Sequence, residues 1–127
     1  MKKEIITTLN APAPIGPYNQ AVKVGNTLYI SGQIPLIPSS MMLLSGSIKE
    51  EVQLVMEHLQ AILEAAGMTF EHVVKSTIFL DDMGNFGEVN QLYGAYFDNE
   101  TAPARETVAV KTLPKSVRIE ISMVAVK

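Results

Sequence analysis

Residues 116–126 read SVRIEISMVAV, and no other stretch limits the fold as much. Val117, Ile119, Ile121, Met123 and Ala125 are apolar on one parity, and Val124 and Val126 on the other. Side chains alternate faces along a strand, so a strand apolar on both parities is usually covered on both sides. The chain must therefore supply, or borrow, cover for two faces of a sheet.

The rest of the sequence offers two helices. Ser47 and Glu50 form a capping box. Behind it, Ile48, Val52, Val55, Leu59, Ile62 and Ala66 make one apolar stripe, and Gly67 suits a left-handed stop. Asn85 and Glu88 are expected to open a second helix that runs to about Phe97. Strands are expected around EIITT, on both sides of the Gly25-Asn26 turn, in HVVKSTIFL, in ETVAV and in the last segment. Pro35 and Pro38 place residues 34–46 in a loop or irregular edge. The order is β-β-β-α-β-α-β-β over one domain, residues 1–127. This predicts an α+β fold, a sheet with two helices on one face. The second face then waits for another subunit, so a closed homo-oligomer is expected.

Several chemistries are excluded by what the chain lacks. It has no cysteine, which removes disulfides, thiolate catalysis and Cys-based metal sites. His58 and His72 are too far apart for a zinc pair on one helix, and His58, at the edge of the stripe, reads as half exposed. Asp81 and Asp82 read as turn residues rather than metal ligands, and Met41, Met42 and Met56 as core or interface filler. No phosphate-binding or nucleophile-elbow motif is present. The net charge of −3 argues against a nucleic-acid footprint. MKKEIITTLN has a basic start without a long apolar run, so no signal peptide is expected. No stretch is apolar enough for a membrane span, and a cytoplasmic location is expected.

A few residues sit where packing alone does not require them. Arg105 lies in TAPARETVAV, beside a strand, and must reach water or an anion. Glu120 interrupts the last strand and is either its internal partner or part of a site. Asn90 shares a helix face with Phe86, Tyr93 and Phe97, as a structural amide or a ligand contact. Tyr18 in IGPYNQA is packing or a hydroxyl aimed at a cleft. Gly32, after Ser31, marks a bulge or a close approach by a ligand or backbone.

Five stretches together resemble the RidA/YjgF family: APAPIGPYNQAVKVGNTLYISGQIP, EAAG, VVKSTIFLDDMGNFGEVN, PARETV and LPKSVRIEI. They run in order over nearly the whole chain. The resemblance implies a chorismate-mutase-like α+β fold with a mixed sheet, assembled as a homotrimer with sites in the clefts between subunits. It implies hydrolysis of reactive 2-imino or enamine acids (2-iminobutanoate, 2-iminopropanoate) to 2-oxo acids and ammonia, a deaminase of metabolite damage control, with no cofactor and no metal. The family's site maps onto Arg105, Tyr18, Ser31, Gly32, Asn90 and Glu120. Thr107 stands where many members have cysteine, and PSSMML where many have an Asp-Pro-x-Thr-Gly turn.

The implied roles suit these side chains. A guanidinium fork binds a carboxylate bidentately, which is Arg105's part. Glu120 orients or activates water and returns a proton to the leaving nitrogen. Main-chain groups near Ser31, Gly32 and Thr107 hold the substrate nitrogen or the water, and Tyr18 and Asn90 close the pocket. The alternatives are a non-catalytic module that binds small carboxylates, and a ribonuclease or translation inhibitor.

Overall fold

The structure is a computed structural model that describes residues 2–127. Six strands form one sheet: β1 (Lys3–Ile6), β2 (Ala21–Val24), β3 (Thr27–Gln33), β4 (Val73–Leu80), β5 (Ala104–Ala109) and β6 (Ile119–Val126). The helices are α1 (Ile48–Ala65), between β3 and β4, and α2 (Phe86–Gly94), between β4 and β5. The sheet order is β1-β2-β3-β6-β4-β5, antiparallel except for β4 and β5, which run parallel. The mixed sheet and the order of elements are those read from the sequence.

Local chemistry explains most boundaries. Gly25, at φ 58°, supplies the positive φ of a Gly-first hairpin turn between β2 and β3. At the start of α1, Ser47 Oγ accepts the Glu50 N–H at 3.2 Å, and Glu50 Oε1 accepts the Ser47 N–H at 3.1 Å. Val52, Val55, Leu59 and Ile62 are fully buried, each such side chain stabilising the fold by about 1.5–3 kcal/mol. Ala66, at the end of the stripe, is half buried, and Gly67 ends the helix at φ 73°.

α2 departs from expectation at both ends. Asn85 has a helical backbone and makes no side-chain cap. Asp82 does that work one turn earlier, accepting the Gly84 N–H at 2.8 Å ahead of a 3-10 turn over Met83–Asn85. At the other end, the bonds Tyr96 N–H to Tyr93 O and Phe97 N–H to Gly94 O tighten the chain into a turn. Regular helix therefore stops at Gly94 rather than Phe97.

His58 is also a correction, because it is buried rather than half exposed. Its Nε2 lies 2.7 Å from the Leu36 carbonyl, so the loop after β3 folds over it. Burial lowers its pKa, opposed by that bond. Within the loop, Leu36 bridges Leu43, and Met41 turns the chain at φ 59°, a conformation glycine adopts more easily. Of the methionines, Met56 is core, Met41 packs on the small cluster of Ile34, Leu36, Leu113 and Val117, and Met42 is exposed.

The two faces of the sheet differ. Ile119, Ile121, Met123 and Ala125 are buried in the main core with α1 and α2. On the other face Val124 is half buried and Val126 is exposed. Val124 pairs across to Tyr29, itself 53% exposed, and Val108 pairs with Phe79. The strand read as apolar on both sides is thus covered on one side within the chain. The edge strand β5 keeps every residue except Thr107 exposed.

Candidate active site

Arg105 is the second residue of β5 and pairs with Ser76 of β4. Residues paired in a sheet point the same way, and Ser76 is buried on the helix side, so Arg105 points to that side too. There it meets α2. Its Nη1 donates to Asn90 Oδ1 at 2.7 Å, and its guanidinium carbon stands 5.3 Å from the Tyr93 ring centre and 5.8 Å from that of Phe86. The Tyr93 hydroxyl donates to Ser76 Oγ at 2.9 Å, which fixes the ring. Burial raises the Tyr93 pKa, with Ser76 and the charge of Arg105 pulling the other way. A neutral ring offers its face to a cation, an interaction worth about 0.5–1 kcal/mol at an exposed site. Among the described residues, no carboxylate is ion-paired with Arg105. The guanidinium borders a cavity of about 430 Å³ with Asn90, Phe97 and Pro103.

Glu120 lies on the opposite side. It pairs with Phe79 in β4, whereas its neighbours Ile119 and Ile121 are buried in the core. It is half buried, and that burial raises its pKa. It borders a second cavity, of about 420 Å³, with Tyr18, Ser31, Gly32, Ile34 and Pro114. Arg105 and Glu120 of one chain therefore face away from each other across the sheet, with β4 between their strands. This overturns the internal ion pair that the sequence left open.

The bulge in β3 explains Gly32. Register shifts between Ile30 and Gln33, and the Glu120 side chain lies against the glycine. A Cβ at position 32 would sit 2.7 Å from Glu120 Cδ and 2.9 Å from its Cγ. Glycine is needed here for close approach. We expect Gly32→Ala to push the carboxylate aside. Its flexible end can yield, so thermal unfolding should shift little, within about 1 kcal/mol. Any turnover that uses this carboxylate should fall by about 10²-fold, as for a misplacement near 1 Å. A fall in stability matching the fall in rate would refute this account.

The remaining residues divide between the two sides of the sheet. Ser31 donates its hydroxyl to Asn19 O at 2.6 Å, which leaves its lone pairs free to accept. Tyr18 is half exposed at the rim, its hydroxyl accepting the Ile15 N–H at 3.4 Å. Thr107 shares the helix-side face with Arg105, and its Oγ1 is buried with no partner among the described residues. Tyr18, Ser31, Gly32 and Glu120 are thus brought together, and Asn90, Arg105 and Thr107 are brought together elsewhere. Phe86 and Tyr93 were not read as Arg105's supports. The aromatic stripe around Asn90 was the available signal, but only the parallel β4–β5 pairing puts Arg105 on it.

A family model described as Endoribonuclease L-PSP matches residues 8–127. A RutC family protein of Pyrococcus horikoshii is 50% identical, covering 98% of each chain. A mouse protein named 2-iminobutanoate/2-iminopropanoate deaminase is 47% identical, over 98% of this chain and 92% of its own. The crystal structure of Escherichia coli TdcF with bound serine superposes with a TM-score of 0.90 at 37% identity, covering 98% of both chains. The chain belongs to the RidA/YjgF family. Members of that family include imine deaminases, and many relatives carry only the family name. Among the described residues, no helix is long and apolar enough to cross a membrane.

Proposed function

We propose that this chain hydrolyses 2-imino acids to 2-oxo acids and ammonia in clefts between the subunits of a homotrimer of chorismate-mutase-like fold. The observation that carries the reading is the split site. A guanidinium with no carboxylate partner among the described residues and a desolvated glutamate lie on opposite faces of one sheet, beside an uncovered face and an exposed edge strand. Docking the β5 edge of one chain beside the open face of the next brings the arginine of one to the glutamate of the other.

The chemistry needs only water as co-reactant. Arg105 holds the substrate carboxylate through N–H groups not used by Asn90. This places the adjacent C=N carbon before Glu120, which takes a proton from water as its oxygen bonds to that carbon. That proton passes to the nitrogen, giving a carbinolamine; Glu120 then takes the carbinol O–H proton and hands it to the nitrogen as the C–N bond breaks, leaving a carbonyl and ammonia. Reactive imines already hydrolyse in water, so positioning supplies much of the acceleration. The mouse and human relatives named 2-iminobutanoate/2-iminopropanoate deaminase support this substrate class. The test is a coupled assay. An amino-acid oxidase generates the imine, and release of ammonia is followed with and without the protein. Equal rates would refute the reading.

The pH dependence follows from Glu120. Its pKa is raised by burial, so the ionised base is lost as pH falls through a value above the ordinary carboxylate range. Turnover should be level above that value and decline below it. The limb is read in the wild-type protein as kcat against pH on imine delivered at fixed concentration, and Glu120→Gln should stay inactive at every pH.

Serine bound to the Escherichia coli TdcF protein favours a second reading, a sensor of small amino or oxo acids. That reading expects 2-oxobutanoate to bind without any faster imine hydrolysis. A ribonuclease is less well served. Among the described residues, Arg105 is the one cation lining either cavity, and a phosphate backbone calls for several.

A further inference from the structure

Gln20, just before β2, is the most heavily used side chain near the Glu120 cavity. It is 3% exposed. Its Oε1 accepts the Thr8 N–H at 2.8 Å. Its Nε2 faces three carbonyls, those of Thr8 at 3.0 Å, Ala11 at 3.2 Å and Pro12 at 2.9 Å. Its own main-chain carbonyl accepts the Ser31 N–H at 2.9 Å. One carboxamide thus fastens residues 8–12 to the strand hairpin that carries Ser31 and Gly32.

Those residues need such a fastener. Residues 7–20 form no helix or strand. Among the described residues, the hydrogen bonds from 8–13 to the rest of the chain all end on Gln20. The segment forms one wall of the cavity through Pro12 and Ala13, with Ile15 beyond them, facing Glu120. Three converging carbonyls in a buried place require a donor, and an amide NH₂ meets that need without burying a charge.

We propose that Gln20 is a positioning residue, which sets the wall at 12–15 and so decides which substrate side chains fit beside Glu120. This rests on the imine-hydrolase reading for the identity of the ligand, but not for the mechanical claim. A fixed wall of Pro12, Ala13 and Ile15 leaves a bounded, apolar space. A released wall admits larger groups and holds small ones less well. The effect is on selection among substrates, while the proton transfers at Glu120 keep their geometry.

Gln20→Glu tests this without changing size. At pH 8 the introduced carboxylate points an anion at three carbonyls, and the wall should release. On acidification the neutral acid regains one O–H donor, and the wall should partly close. Amide hydrogen exchange at Thr8, whose N–H is bonded to Gln20, and at Asn10, whose N–H is bonded to Thr8 Oγ1, should accelerate by about tenfold or more at pH 8, after correction for intrinsic rates. The acceleration should shrink at pH 5, a reversal that general destabilisation does not produce. For turnover, the ratio of kcat/KM between 2-iminopropanoate and the imine of leucine should change by about fivefold or more, through KM, with kcat for the small imine held.

Unchanged exchange in the variant would overturn the anchoring role. Faster exchange with an unchanged substrate ratio would overturn the selective role. Gln20→Asn, which keeps the amide but shortens its reach, gives a second variant if the glutamate fails to fold. Should the wild-type protein prove inactive on imines, the relative affinities of pyruvate and 4-methyl-2-oxopentanoate give the same ratio. The failure of the catalytic reading is then distinct from the failure of this one.

Discussion

Arg105→Ala should abolish measurable acceleration of 2-iminobutanoate and 2-iminopropanoate hydrolysis while leaving the fold and assembly unchanged. The side chain is exposed, and its protein contacts are one bond to Asn90 and two ring faces, so the fold loses little. The substrate loses its only charged anchor. Truncating one side of a close, hydrogen-bonded charge pair costs about 2–5 kcal/mol, which is roughly 30- to 5,000-fold in kcat/KM. Arg105→Lys should recover little of this. An ammonium keeps the charge but lacks the planar fork, and it fits less well between Phe86, Tyr93 and Asn90. The coupled ammonia assay reads the rate, and light scattering reads the assembly. Near wild-type turnover in the alanine variant would remove Arg105 from the mechanism.

Two inactive variants should restore each other. Arg105→Ala keeps Glu120, and Glu120→Gln keeps Arg105. On sheet geometry alone, the two residues of one chain cannot reach a common ligand, because they lie on opposite faces with β4 between them. Under the proposed mechanism, each productive site then draws its arginine and its glutamate from different chains. Dissociating an equal mixture and allowing it to reassemble at random should give an intact pair at about one site in four, hence about a quarter of wild-type turnover. The parents, each reassembled alone, should stay inactive. A mixture no more active than its parents would show that both groups of a site come from one chain.

Much of the frame was legible because it rests on local chemistry. The α1 stripe, its Ser47-Glu50 box and the Gly25 turn are each fixed by residues within a few positions of one another. The separation of Arg105 from Glu120 was not. Parity within a strand says which residues share a face, but comparing position 105 with position 120 requires knowing that β4 intervenes and that β5 runs parallel to it. His58 was misjudged for a related reason, since its burial comes from a loop whose carbonyl at Leu36 lies far from it in sequence. Asn85 was misjudged because Asp82 offers a cap three residues earlier. At the site, Arg105, Asn90 and Glu120 stood out as polar groups in apolar settings. Gln20 did not, because a glutamine beside a turn looks ordinary until its four bonds are seen.

In the proposed assembly, the sheet that parts the arginine from the glutamate also makes every chain a tenant of two sites. In a ring of such chains, one subunit lends its Arg105 side to one neighbour and its Glu120 side to the other. A subunit damaged across its whole sheet silences both. While damage is sparse, a population of rings would then lose capacity about twice as fast as it loses sound chains. Replacement of worn protein would matter correspondingly more than for an enzyme whose site lies within one chain.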